Sequence, residues 1–247
     1  MNAGVDAFAV LLMHSWINPS HEILCYDLLK EKGFVNIFQG MNYPRKHVPK
    51  AIEMVQAVRE AIGPDNGICL DFHGRLDVES AIRIGRLLEP FDLFFYEEPL
   101  PPNDDEELAY VRNRVNIPIC CGERRYTLRD FRRIFELQAT DIIMPDHARN
   151  GGITQIKKIS TLADTYRIPV APHVVYSSPL NAVISAHNMA SIPNFLINES
   201  MGPQRMKLYA DLIKPQILPE NGYLHVPNKP GLGVELVEDN LTKERNL

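Results

Sequence analysis

Six residues of the kind that bind hard cations or move protons recur through the chain: Asp71, Glu97, Glu123, Asp146, His173 and Glu199. They are 26, 26, 23, 27 and 26 positions apart. Each closes a short apolar run, as Ile68-Cys69-Leu70 does before Asp71 and Ile142-Ile143-Met144-Pro145 before Asp146. Asp71, Glu97 and Glu123 together form an all-oxygen donor set. Such a set suits Mg2+ or Mn2+, ions that keep coordination positions open for water and substrate. Asp146 and His173 lie on neighbouring expected strands and have the residue types of a general base, although a lone histidine at a strand end is more often structural. A carboxylate bonded to one imidazole nitrogen sets the tautomer and raises the basicity of the other.

The interval is about the length of one strand, one helix and two short connections. Short apolar runs bounded by Gly or Pro read as buried parallel strands, and the stretches between them have helical spacing. An open parallel sheet gathers its site at one switch point, whereas a closed barrel brings every strand's C-terminal end to one rim. Six consecutive strand ends with functional residue types therefore favour a (β/α)8 TIM-type barrel. At 247 residues the chain has the length of one such domain.

Helices are expected over residues 21–32, Val48–Ile62, Val78–Leu88, 104–114, 128–137, 153–166 and 179–190. An earlier strand is expected over 35–38, followed by a polar loop over 43–50. Residues 5–12 must supply the first strand, or the barrel is incomplete at its N-terminal end. Beyond Glu199 the period stops. Residues from about 200 to 247 read as an extended tail, rich in Pro and Gly over 222–235. We expect a single barrel domain over 1–247.

Each acid also has an ordinary structural explanation. It could cap the next helix or pair with Arg75, Arg124 or Arg125. Three acids in register are less easily explained so, because like charges crowded on one rim repel without a cation among them. His73 lies two positions past Asp71, so a strand's period of two would turn both side chains to one side. It is either a second acid or base facing His173, or a surface histidine. His14, His21, His47, His147, His187 and His225 lack such a context and read as structural.

Composition narrows the function. Apolar residues at 45% and charged residues at 23% describe a soluble globular protein. A net charge of -5, without a basic tract, argues against nucleic acid as a partner. No long uncharged apolar run predicts a membrane span, and residues 7–13 lack the flanks of a secretory signal. The four cysteines form no CxxC pair, which fits a reduced cytoplasmic compartment.

Several motifs occur in order: Asp71-Phe72-His73-Gly74-Arg75, Tyr96-Glu97-Glu98-Pro99, Gly122-Glu123-Arg124, Pro145-Asp146 before Gly151-Gly152-Ile153, Ala171-Pro172-His173, and Asn198-Glu199-Ser200-Met201. With the tail Lys229-Pro230-Gly231-Leu232-Gly233-Val234, they resemble the enolase superfamily, mandelate racemase subgroup. Within that subgroup they are most similar to the galactonate-dehydratase-type acid-sugar dehydratases. The resemblance implies Mg2+ held by Asp71, Glu97 and Glu123, with Mn2+ as a substitute, and gives Glu98 no such part. It also implies His173 with Asp146 as the base and His73 as the acid that protonates the departing hydroxyl. Glu199 would hydrogen-bond the substrate carboxylate. A Lys or His base with divalent metal is an established pattern of that superfamily.

The implied activity is a carbon-oxygen lyase that abstracts the proton beside the carboxylate of a sugar acid and eliminates the neighbouring hydroxyl. The alternatives are a racemase or epimerase using His73 or His173, and a catalytically silent barrel. Relatives carry an N-terminal capping domain that is not expected in this chain. Many also have a lysine where this sequence has Phe38-Gln39, so a lysine base is not expected. Apolar side chains on an uncapped rim would favour a homo-oligomer.

Overall fold

The computed structural model describes residues 9–12, 48–102, 104–174, 178–199, 209–220 and 222–241. The expected helix over 21–32, the strand over 35–38 with Phe38-Gln39, His14, His21, His47, Cys25, and most of the 43–50 loop lie outside the described residues. So do Tyr176 and Ser200-Met201. The described residues fall into two compact units. One lies within Met1–Cys121 and Arg132–Ile142, the other within Gly122–Phe131 and Ile143–Leu247.

In the first unit, α1 (Val48–Ile62) leads into β2 (Ile68–Asp71), α2 (Val78–Leu88), β3 (Phe95–Glu97), α3 (Asp105–Arg112) and β4 (Ile119–Cys121). The sheet order is β1-β2-β3-β4-β5, with β1 over Ala9–Leu12 and β5 (Ile142–Ile143) at the boundary of the unit. β2, β3 and β4 are parallel, and every residue in them is buried. Strands covered on both faces carry continuous apolar runs, and these do. Burying a side chain such as Ile68 or Leu70, neither of which is exposed at all, contributes about 1.5–3 kcal/mol.

The helix ends follow local chemistry. Asp77 caps α2 by accepting the Ser80 N–H at 2.7 Å. Ala81, Ile84, Gly85 and Leu88 form its buried stripe. Gly85 brings α2 close to the sheet: a Cβ there would stand 2.6 Å from Val115 Cγ1 and 3.3 Å from the Tyr96 ring.

One expectation is corrected. β1 (Ala9–Leu12) is a strand, but it runs antiparallel to β2, pairing Ala9 with Asp71 and Leu12 with Ile68. Every strand of a (β/α)8 barrel is parallel to its neighbours, so β1 cannot serve as the in-phase first strand. It takes the β2 edge that a preceding parallel strand would use.

In the second unit, the parallel succession continues through single bridges, Ile143 to Val170 and Val170 to Phe195. The strands expected at residues 170–172 and 195–198 are reduced to these contacts. Pro169, Pro172 and Pro193 lack the N–H that a longer ladder needs. α5 (Gly152–Thr165) buries Ile156, Ile159, Ser160 and Ala163. α6 (Pro179–Met189) begins with proline at its first position and is buried on most sides. α4 (Leu128–Glu136) opens at Thr127, whose amide donates to Asp130 Oδ2 at 2.8 Å.

The two ends of the described tail pair with each other. β6 (Ile213–Lys214) pairs antiparallel with β7 (Glu235–Leu236), and a single turn, α7 (Glu238–Leu241), follows. His187 Nε2 lies 3.1 Å from the Leu232 carbonyl, a structural contact. Among the described residues, no helix is long and apolar enough to cross a membrane.

Candidate active site

In the first unit, Asp71 and Glu97 are register partners at the ends of β2 and β3. They are 8% and 3% exposed. The chain after β2 follows the end of β3: Phe72 N–H donates to Glu97 O at 3.0 Å, Gly74 N–H to Glu98 O at 2.6 Å and Leu76 N–H to Pro99 O at 3.1 Å. His73 returns onto Asp71, with its backbone N–H 2.8 Å from Oδ1 and its Nδ1 2.6 Å from Oδ2. The two side chains do meet, but not through the strand pleat. β2 has ended, and His73 has a φ of 49°, in the left-handed region. A tight turn places the imidazole there and leaves it largely exposed.

In the second unit, Gly122 aims Glu123. Its φ is 153°, and a Cβ would lie 2.8 Å from the Met144 backbone, so only glycine allows this approach. Glu123 is 4% exposed. Its Oε2 accepts Arg149 Nη1 at 2.7 Å and lies 2.9 Å from His173 Nε2. Arg124 Nε is 3.8 Å from Oε1, so the closer arginine partner is Arg149, which the sequence motifs did not suggest.

Asp146 and His173 form a parallel backbone bridge, with His173 N–H donating to Pro145 O at 3.1 Å. Their side chains meet at 2.6 Å between Nδ1 and Oδ2. The other oxygen of Asp146 accepts the Ala148 N–H at 2.7 Å and Asn181 Nδ2 at 3.3 Å. Fully buried Asn150 accepts the Asp146 N–H and donates to the Arg125 carbonyl, tying the 146–150 turn to the Glu123 segment. Glu199 Oε2 accepts the Val174 N–H at 2.8 Å and stands 3.9 Å from His173 Nε2.

These contacts set the charges. Burial pulls the His173 pKa down, but its hydrogen bonds to the Asp146 and Glu123 carboxylates and the charges of Glu199 and Glu123 outweigh it and raise it to about 10. The shift favours the protonated ring, whose Nδ1 and Nε2 then donate to Asp146 and Glu123. Burial would raise the Asp146 carboxyl, but the His173 and Ala148 hydrogen bonds hold it below its ordinary value. His147 goes the other way, lowered by burial to about 4, while Asp146 partly opposes the shift. Its Nε2 meets Asn188 Nδ2 at 3.0 Å, and its Nδ1 has no hydrogen-bond partner among the described residues.

The structure thus gathers Glu123, Asp146, His173 and Glu199 in the second unit and Asp71, His73 and Glu97 in the first. Sequence reasoning missed Arg149, Asn150 and Asn181. Their only signal was polarity: two lie in the turn before Gly151-Gly152 and one in the first turn of α6. Among the described residues, no group of three His, Cys, Asp or Glu side chains is disposed to hold a metal ion. In kind the donors fit Mg2+, since all are buried carboxylates. Glu123 in particular already draws positive side chains to itself.

A family model described as enolase C-terminal domain-like matches residues 23–240. The D-xylonate dehydratase of Haloferax volcanii is 40% identical over 216 residues, covering 87% of this chain and 52% of the relative. The D-galactonate dehydratase of Pectobacterium atrosepticum is 32% identical over 246 residues, covering 92% and 63%. The chain thus spans between about half and two thirds of the length of these relatives. A mandelate racemase/muconate lactonizing enzyme-like protein from Rubrobacter xylanophilus superposes with a TM-score of 0.79 at 35% identity, covering 93% of this chain and 62% of that one. The α/β fold class is that of the TIM-type barrels among which these relatives fall. With its motifs in order and the family model spanning nearly all of it, the chain belongs to the enolase superfamily, as an enolase C-terminal domain-like member.

Proposed function

We propose that this chain carries the catalytic residues of a Mg2+-dependent acid-sugar dehydratase. The observation that carries the proposal is the Asp146–His173 pair at 2.6 Å, with Glu123 and Glu199 on the far side of the imidazole. The naming of relatives as D-xylonate, L-rhamnonate and D-galactonate dehydratases supports the substrate class.

Asp146 accepts Nδ1–H of His173, so Nε2 is the atom that takes the proton beside the substrate carboxylate. Glu199, held by the Val174 amide, is oriented to hydrogen-bond that carboxylate. His73, partly exposed and bonded to Asp71, is assigned as the acid that protonates the departing hydroxyl. Asp71, Glu97 and Glu123 are assigned as Mg2+ ligands on their order along the chain. Mg2+ held by these residues would supply positive charge against the substrate carboxylate, which would make the adjacent C–H more acidic.

The test is a panel of aldonic acids incubated with the chain, with Mg2+ present and with Mg2+ chelated, followed by product analysis. A Mg2+-dependent 2-keto-3-deoxy acid is expected. A product of unchanged formula indicates epimerisation, and no turnover of any acid sugar sinks the proposal.

A further inference from the structure

Glu123 has more positive charge around it than proton transfer uses. Its Oε2 meets both Arg149 Nη1 and His173 Nε2. Arg149 is the one with no part in the chemistry, and it is the more open of the two, at 36% exposed against 7% for His173. Its guanidinium spans two acids, with Nε 3.7 Å from Asp146 Oδ2. Its backbone is pinned, because its own N–H donates to Asp146 O at 3.1 Å and Asn150 beside it is locked to both Asp146 and Arg125. The motion left to Arg149 is therefore a swing of the side chain toward solvent, not a shift of the turn.

A buried carboxylate left without a counter-charge is strongly destabilising. Oε2 of Glu123 already meets two donors, Arg149 Nη1 and His173 Nε2, which take up its two lone pairs, so a divalent ion placed there has to displace one of them, and Arg149 is the more open. We propose that Arg149 is an internal counter-ion of Glu123 that a divalent cation must displace, so that guanidinium and metal exclude each other at Oε2. The arginine keeps Glu123 neutralised in the metal-free protein and thereby lowers the affinity for the ion. This rests on Glu123 being a metal ligand, as proposed above.

The experiment titrates the full chain with Mn2+, followed by its paramagnetic resonance, and compares Arg149→Gln, Glu123→Gln and Arg132→Gln. Arg132 is 63% exposed and controls for the change in net charge. Arg149→Gln is expected to bind Mn2+ about tenfold more tightly, the scale of one charge-assisted hydrogen bond removed from competition. Arg132→Gln is expected to shift affinity by less than about twofold. Unchanged or weaker binding by Arg149→Gln overturns the proposal. Undiminished binding by Glu123→Gln is a different result, which removes the metal site itself. Guanidinium NMR of the unsubstituted protein needs no variant to fold. Arg149 signals that are hindered without metal and freely rotating at saturating Mg2+ support displacement, whereas unchanged signals overturn it.

Discussion

Asp146 and His173 are register partners in the backbone and hydrogen-bonded partners through their side chains, Oδ2 to Nδ1 at 2.6 Å. The parallel bridge fixes the distance between the two Cα atoms. The Ala148 amide and Asn181 then fix the carboxylate from its other oxygen. The imidazole orientation is thus set by the backbone bridge together with the contacts of Asp146, the kind of pre-organisation that the proposed proton transfer needs.

The first prediction concerns that pair. His173→Asn should abolish both turnover and exchange of solvent deuterium into the position beside the carboxylate. Asp146→Asn should keep the fold, read by circular dichroism, and lower turnover by on the order of 10²-fold or more, because the wrong tautomer is then favoured. Turnover at the parent rate by His173→Asn would show that another group takes the proton.

A second prediction concerns the metal. Millimolar Mg2+ should raise the melting temperature by mass action on the folded state. Glu123→Ala should remove that shift, and Glu98→Ala should leave most of it. Equal shifts in both variants would argue against Glu123 as a ligand.

The third concerns stability against pH in the metal-free chain. The His173 pKa is raised from 6.5 to about 10, so its stabilising contribution is complete below pH 6.5 and lost as pH rises toward 10. The His147 pKa is lowered from 6.5 to about 4, so the folded state loses stability as pH falls from 6.5 toward 4. That loss is on the order of 3 kcal/mol for a nearly buried group. A stability maximum near neutrality is expected in urea melts. His147→Gln should flatten the acid limb and His173→Asn the alkaline limb, and a limb unchanged by its substitution would remove that histidine as its cause.

The fourth concerns Gly122. A Cβ there would meet the Met144 backbone at 2.8 Å, and the φ of 153° is unfavourable for other residues. Gly122→Ala should cost about 1–3 kcal/mol of stability, the range for a residue held in a sparsely populated conformation. A denaturation midpoint equal to the parent's would mean that the chain relaxes around the methyl group.

Periodicity alone located most elements of the described chain. Helices α1 and α2 match their expected bounds, and α3 to α6 differ by at most two residues at either end. That is so because the buried stripes and the turn residues are local features of the sequence. The Asp146–His173 pair was legible for the same reason: two parallel strands one βα unit apart bring their ends together.

Tertiary structure decided what depends on contacts without a period. Arg149 reaches Glu123 across 26 positions, and Asn181 reaches Asp146 across 35, each from a turn or helix start whose sequence suggests nothing but polarity. The left-handed turn at His73 and the antiparallel pairing of β1 were equally invisible. A pleat argument assumes that the strand continues, and residues 9–12 carry no mark of direction. The sequence determined which residues stand at the strand ends. Which of their charges are neutralised, and by what, was decided by side chains meeting where burial makes an unpaired charge too costly to leave alone.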